Sequence, residues 1–272
     1  MPELPEVETI SRNLRPSLAG RTIVTAQLLW RRTLETPDAD QFQARITGQT
    51  IRNTGRRGKF LVLYLSKDVF LLHLRMSGDL RVEPETSPAA VHDRLILSLD
   101  NDTRLVFNDT RKFGRAWLVD DPARVIGDLG PEPLAPEFTP IEFYTRLHAR
   151  RRQLKPLLLD QTFLAGLGNI YVDECLHRAR LHPLTPSQSV STGQAESLWY
   201  AIRESLIDGI RMNGASIDWV YRGGDFQNHF RVYQRTGQPC PNCGTPIERI
   251  TVGQRGTHFC PTCQPLEVSE GK

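Results

Sequence analysis

The chain has 272 residues, of which 39% are hydrophobic and 24% charged, with a net charge of +3. This is an ordinary globular composition, long enough for two or three domains with real cores. No apolar run approaches a membrane span and the polar N-terminus lacks the apolar core of a signal peptide, so a soluble, intracellular, cytoplasmic protein with no membrane partner is expected.

The chain opens Met1-Pro2-Glu3-Leu4-Pro5-Glu6-Val7-Glu8. Met1 precedes a small residue, and its removal would leave Pro2 with a free secondary amine. An α-amino group has a pKa of about 8, against about 10.4 for lysine, so far more of it is neutral at neutral pH. A neutral amine can attack a sugar carbon and become an iminium. Glu3 stands next to it, placed to move protons. Alone, this stretch decides nothing, because most chains that begin Met-Pro merely begin there.

Pro5 to Leu18 reads as an amphipathic helix. Val7, Ile10, Leu14 and Leu18 fall on one face, Glu6 and Glu8 suit the first turn, and Gly20 ends it. From Thr22 the pattern changes to short strands: Thr22 to Trp30, Phe60 to Leu65, Val69 to Leu74, Leu80 to Glu83, Arg94 to Leu99, Arg104 to Asn108 and Arg115 to Val119. Turns are expected at Ser66-Lys67-Asp68 and at Asp100-Asn101-Asp102. Many short antiparallel strands suggest a β-sandwich. Arg56-Arg57-Gly58-Lys59 and Arg150-Arg151-Arg152 are basic clusters, which suit nucleic acid, although a solvated charged face is an equal reading of either one singly.

Gly127 to Pro140 reads as a linker by its glycine and proline content. Helical patterns follow at Ile141 to Arg151, Pro156 to Gln161, Gly168 to Arg178 and Thr192 to Met212. Gly166-Leu167-Gly168-Asn169 precedes one of them. Exposed amides at a helix start bind phosphate and glycine admits a close backbone, though a plain helix connection is the other reading. Gly214 to Asp225, glycine-containing and polar, reads as a mobile loop, with Gly223 and Gly224 permitting motion.

Four of the five cysteines stand as Cys240-Pro241-Asn242-Cys243 and Cys260-Pro261-Thr262-Cys263, sixteen residues apart. Each pair forms a knuckle, and two knuckles complete a tetrahedron of thiolates around one structural zinc. Two disulfides or a redox pair are the rivals; nothing indicates secretion, and a redox pair needs no second copy. Arg249, Arg255 and His258, between the knuckles, suit phosphate contacts or an incidentally charged hairpin. Cys175 is left over, and a buried core thiol is its expected role.

Several separated stretches, in order from residue 2 to residue 265, resemble the formamidopyrimidine-DNA glycosylases, also called 8-oxoguanine DNA glycosylases. They are the opening Pro2-Glu3-Leu4-Pro5-Glu6-Val7-Glu8, Arg57-Gly58-Lys59, His73-Leu74-Arg75-Met76-Ser77-Gly78, Asn108-Asp109-Thr110-Arg111-Lys112-Phe113-Gly114, Gly168-Asn169-Ile170-Tyr171 and the four-cysteine ribbon. The resemblance implies an α+β architecture: an N-terminal helix plus antiparallel β-sandwich (1–130), a helical domain with a helix–two-turns–helix motif (131–228), and a zinc finger (229–272). It implies a monomeric, bifunctional glycosylase and lyase of base excision repair, acting on double-stranded DNA that contains oxidised purines. The route is a Schiff base on the sugar C1′ followed by β,δ-elimination, with no redox cofactor.

By that resemblance Pro2 is the nucleophile, Glu3 its acid/base partner, and Glu6 supports the site. Lys59 serves the lesion phosphate and β-elimination, and Arg255 contacts phosphate and serves δ-elimination. Met76, Arg111 and Phe113 match the residues that fill the gap left by a flipped nucleotide. His73, His92, Arg150 or Arg151, and Asn169 match positions in contact with DNA. Without the resemblance, core packing would be the reading of Met76 and Phe113. Thr110 and Lys112 depart from the family pattern, where proline and arginine are usual, and they flank the wedge rather than the chemistry. The nearest rival is the endonuclease VIII branch, which prefers oxidised pyrimidines.

Overall fold

A computed structural model describes residues 1–216 and 223–266. It divides into two units, Met1–Asp128 with Asn213–Gly224, and Leu129–Met212 with Asp225–Lys272.

The first unit begins with helix α1 (Leu4–Leu18), whose apolar stripe of Val7, Ile10, Leu14 and Leu18 is buried. The chain leaves it through Gly20, at φ 81°, a left-handed conformation that favours glycine. Two sheets follow. One pairs β1 (Ile23–Leu28), β7 (Asp93–Leu99), β8 (Thr103–Asp109) and β6 (Gly78–Pro84) in that spatial order, all antiparallel. The other runs β2 (Leu34–Thr36), β9 (Arg115–Val119), β5 (Val69–His73), β4 (Phe60–Leu65) and β3 (Ile51–Arg57), antiparallel except for the short parallel pairing of β2 with β9. Leu61, Leu63, Phe70 and Leu72 from one sheet share a core with Leu95, Leu97, Leu105 and Phe107 from the other and with the α1 stripe. Alternation along each strand puts these positions on one face. The opposite face of β4, β5 and β9 carries Val62, Leu71 and Val119, covered by Val125 and Ile126 of the short helix α3 (Ala123–Ile126).

The expected turns at Ser66-Lys67-Asp68 and Asp100-Asn101-Asp102 join β4 to β5 and β7 to β8. Two elements carry no legible pattern. Helix α2 (Ala39–Ile46) is eight residues long with one apolar pair, Phe42 and Ile46, to seat it. Strand β3 reads Ile-Arg-Asn-Thr-Gly-Arg-Arg, and its buried Thr54 is there because its hydroxyl donates to the Ser11 carbonyl of α1 at 3.1 Å.

The second unit is built on α4 (Pro140–His148), α5 (Leu154–Leu158), α6 (Asn169–Arg178) and α7 (Thr192–Arg211). Thr139 and Ser191 cap α4 and α7, each accepting a backbone N–H three residues on at 3.2 Å. Every residue of α6 from Ile170 to His177 is buried, so this helix is central rather than amphipathic. The proline-rich stretch after Asp128 is packed rather than loose. The Gly130 N–H reaches the Gln161 carbonyl at 2.8 Å, a Cβ there would sit 2.6 Å from the Phe163 backbone, and Phe138 is buried. The last hairpin pairs β10 (Glu248–Val252) with β11 (Arg255–Phe259) through Gly253-Gln254, both at positive φ, the turn whose twist matches the flanking strands. No helix among the described residues is long and apolar enough to cross a membrane.

Candidate functional site

Pro2 and Glu3 are buried at the head of α1. The buried Glu6 carboxylate accepts the Glu3 N–H at 2.7 Å through one oxygen and the Ala215 N–H at 2.7 Å through the other. Gly214, at φ 79°, lies so close that a Cβ would stand 2.7 Å from the Glu6 side chain. Half of the expected mobile loop, residues 217–222, lies outside the described residues.

Gly58-Lys59 forms the two-residue connection between β3 and β4, with Gly58 at φ 56°. Arg56, at the end of β3, donates to Glu8 of α1 at 2.8 Å, which holds this connection beside the N-terminal end of the helix. Lys59 is only 5% exposed.

Met76, Arg111 and Phe113 stand on two loops, β5–β6 and β8–β9. The apolar pair is exposed, Met76 at 39% and Phe113 at 46%, so neither packs in a core. The Arg111 guanidinium lies 4.9 Å from the Phe113 ring centre. One buried carboxylate joins the loops. Asp109 accepts the Ser77 hydroxyl from one loop, and the backbone N–H groups of Arg111 at 3.1 Å and Gly114 at 2.7 Å from the other. Arg94 donates to the Asp109 carbonyl at 2.8 Å, and a second guanidinium nitrogen lies 3.2 Å from Nδ1 of the exposed His92. His73 sits beneath the first loop, buried, its Nδ1 accepting the Arg75 N–H at 3.0 Å. Burial, then the charges of Arg75 and Lys59, push its pKa down to about 3, so the ring is neutral.

In the second unit Asn169 opens α6, and its amide donates to the Gly256 carbonyl at 3.1 Å. Its Oδ1, buried, has no hydrogen-bond partner among the described residues. Lys155 donates to the same carbonyl at 3.1 Å and to Asp173 at 2.5 Å, with both side chains of that ion pair fully buried. Asp173 also accepts the His258 N–H at 2.9 Å. These bonds fix the hairpin against the start of α6 and so place exposed Arg255, the neighbour of Gly256, near Asn169. Arg150 and Arg151, after α4, are exposed, whereas Arg152 is engaged by Asp160 at 2.6 Å.

The four cysteine sulfurs of Cys240, Cys243, Cys260 and Cys263 lie within 4.8 Å of one another. The Cys240–Cys263 and Cys243–Cys260 separations are 3.8 and 3.5 Å. A tetrahedron with metal–sulfur bonds of about 2.3 Å has edges of roughly 3.8 Å, so this donor set fits zinc. The N–H groups of Asn242 and Cys263 each donate to a cysteine sulfur at 3.4 Å. The protein fills all four positions, which makes the metal structural. Glu174 anchors the chain entering the ribbon, accepting the N–H groups of Arg231, Val232 and Tyr233 at 2.9 to 3.0 Å. Cys175 is buried, donates to the Val172 carbonyl at 3.3 Å, and its thiol pKa is pushed up, chiefly by burial.

Asp109, Asp173 and Glu174 are supporting residues that sequence reading does not single out. Each acts on groups brought to it by the fold, and a lone acidic residue carries no signal of that.

A helix-backed β-sandwich, a helical unit with a helix–two-turns–helix domain and a four-cysteine ribbon together define a DNA glycosylase of the helix–two-turns–helix class. Residues 1–116 match the formamidopyrimidine-DNA glycosylase N-terminal domain, 129–220 the H2TH domain of the same enzymes, and 237–266 the zinc finger found in FPG and IleRS. A formamidopyrimidine-DNA glycosylase of Chloroflexus aurantiacus is 51% identical, covering 97% of this chain and 98% of its own, and one of Enterococcus faecalis is 40% identical, covering 98% of each. Among solved structures, the complex of the Lactococcus lactis Fpg protein with THF-DNA and an inhibitor matches with a TM-score of 0.91 at 37% identity, covering 97% of this chain and 100% of that one. The wild-type Lactococcus lactis protein bound to DNA containing N7-benzyl-Fapy-dG matches equally. The chain belongs to the formamidopyrimidine-DNA glycosylase family.

Proposed function

We propose that this chain is a bifunctional DNA glycosylase and AP lyase of base excision repair that removes 8-oxoguanine and formamidopyrimidines from duplex DNA. In this reading residues 1–130 carry the chemistry, 131–228 hold the DNA backbone and 229–272 form the zinc finger. The chain acts as a monomer and needs no redox cofactor.

A stacked base cannot be reached, so the nucleotide is flipped out at a cost of a few kcal/mol. Met76, Phe113 and Arg111 fill the gap, the apolar pair offsetting lost stacking and the guanidinium meeting the orphaned base. His92, Arg150 or Arg151, Asn169 and Arg255 contact the backbone, and His73 supports the loop that carries Met76. With Met1 removed, the Pro2 lone pair attacks C1′, the bond to the base breaks, and the base leaves with a proton. Glu3 protonates O4′ as the C1′–O4′ bond breaks, and the nitrogen lone pair forms the iminium with the sugar ring opened. The resulting iminium acidifies the C2′ hydrogen. Loss of that proton, assisted by Lys59, expels the 3′ phosphate, and a second elimination, assisted by Arg255, expels the 5′ phosphate. Water then hydrolyses the Schiff base and frees Pro2.

The observation that carries this reading is the buried, anchored N-terminus. Pro2 and Glu3 are buried at the head of α1, and the Glu3 N–H is held by Glu6 at 2.7 Å. The test is borohydride trapping on one 8-oxoguanine duplex with untagged protein, protein bearing an uncleaved N-terminal tag, and Lys59→Ala. The expected result is an adduct with the untagged protein, none with the tagged protein, and some with Lys59→Ala. A robust adduct from tagged protein that disappears on adding Lys59→Ala would move the nucleophile to Lys59. Comparing 8-oxoguanine:C with thymine glycol duplexes separates the purine reading from the endonuclease VIII one.

A further inference from the structure

His177 closes the last turn of α6 with its side chain fully buried, 63 residues before Cys240. Its Nε2 lies 3.3 Å from the Cys240 sulfur. Its Nδ1 is buried with no hydrogen-bond partner among the described residues. A metal-bound thiolate has no proton to give, so at this distance the imidazole must be the donor, which fixes the proton on Nε2. The other nitrogen is left bare, and burying an unpaired polar atom costs about 1–3 kcal/mol. A phenyl ring would occupy a similar volume without that cost; what the imidazole adds is the bond on its other side.

Four thiolates around one zinc carry an excess of negative charge, which N–H donors disperse. Two of the donors here, the N–H groups of Asn242 and Cys263, belong to the ribbon itself. The His177 donor comes instead from α6, the helix that Asn169 opens. We propose that His177 is a positioning residue of the zinc site, its Nε2–H holding the Cys240 thiolate and locking the ribbon to the C-terminal end of α6. The consequence is kinetic retention of the metal. Opening the Cys240 corner requires breaking a bond to a rigid helix as well as a metal–sulfur bond.

The proposal rests on the zinc assignment, and metal content separates the two. The test is release of zinc to a chromogenic chelator from full-length native protein, His177→Phe and His177→Gln, each first assayed for bound zinc. Phenylalanine keeps a ring and removes the donor, whereas the glutamine amide can restore an N–H close to Nε2. Outer-shell partners of metal ligands are worth about 10–100-fold in affinity, so His177→Phe should release zinc at least about tenfold faster, with glutamine restoring much of the loss. Equal rates for native and phenylalanine proteins would overturn the proposal, as would equally fast release from both variants, which would mean that only the imidazole's packing matters. Native protein without zinc would overturn the metal site and this role with it. A measurement on the unmutated chain covers a variant that does not fold. In protein loaded with cadmium-113, proton–cadmium correlation should connect the His177 Hε2 resonance to the metal through the sulfur. A visible Hε2 resonance without that coupling would overturn the proposal.

Discussion

The Glu6 carboxylate accepts the backbone N–H of Ala215, 209 residues further along the chain, at 2.7 Å. Its second oxygen accepts the Glu3 N–H, also at 2.7 Å, so one buried side chain sets both the proposed catalytic segment and the chain that returns to it. Glutamine at this position keeps one acceptor and turns an amide NH2 toward the other N–H. Glu6→Gln should therefore lower stability by about 1–3 kcal/mol, the scale for an unmet buried donor. It should also slow base release at least tenfold while leaving bound zinc unchanged. Denaturant midpoints, single-turnover rates and metal analysis check this. Native stability and rate would mean that the two contacts are incidental.

Arg111→Ala should weaken cleavage of a paired 8-oxoguanine more than cleavage of an already abasic site, because the latter needs no base extrusion. Rates on the two duplexes, measured side by side, decide the matter. Equal losses on both would make Arg111 a phosphate contact only.

Gly114→Ala should destabilise the first unit by about 1–3 kcal/mol, the cost of overpacking. The added Cβ would stand 2.3 Å from the Phe107 ring and 3.2 Å from the Asp109 carboxylate, crowding the bond that joins the two wedge loops. Thermal unfolding measures the loss. The variant should also lose discrimination between lesion and undamaged duplex, because its wedge is displaced.

The neutral state of His73 gives a pH dependence with a definite sign. Its pKa falls from 6.5 unfolded to about 3 folded, so between those values the unfolded chain binds more protons. The contribution of this group is fully present above pH 6.5 and is lost as pH falls toward 3, at up to about 1.4 kcal/mol per unit. Protonation of Nδ1 would also remove the acceptor for the Arg75 N–H. His73→Asn should show a smaller drop in denaturant midpoint than the native protein between pH 7.5 and 5.5. Parallel curves would refute the assignment.

Cys260→Ser should lose the zinc and weaken DNA binding, while the sandwich unfolds at its native temperature. Among the described residues, the sandwich core and the ribbon core are separate clusters. Full zinc occupancy in the variant would refute the four-cysteine site.

What the sequence determined alone is whatever is written in local spacing. The α1 stripe repeats with the helical period, the strands of the sandwich are dense in β-branched and apolar residues, and the cysteine pairs carry their own geometry. Those signals lie within a few residues of one another, so the chain states them before it folds. The ordered motifs from Pro2 to the ribbon added the family. The tertiary structure decided the rest, because it alone brings together groups far apart in the chain. Met76 and Phe113 look like core residues by type, and only the loops that carry them leave them exposed. Thr54 is buried in a polar strand because α1 supplies an acceptor. Asp109 joins loops whose bonded residues are 32 apart, His177 meets a cysteine 63 residues away, and Glu6 spans 209. A buried donor or acceptor must find a partner wherever the fold puts one, and no periodicity in the sequence encodes which partner that is.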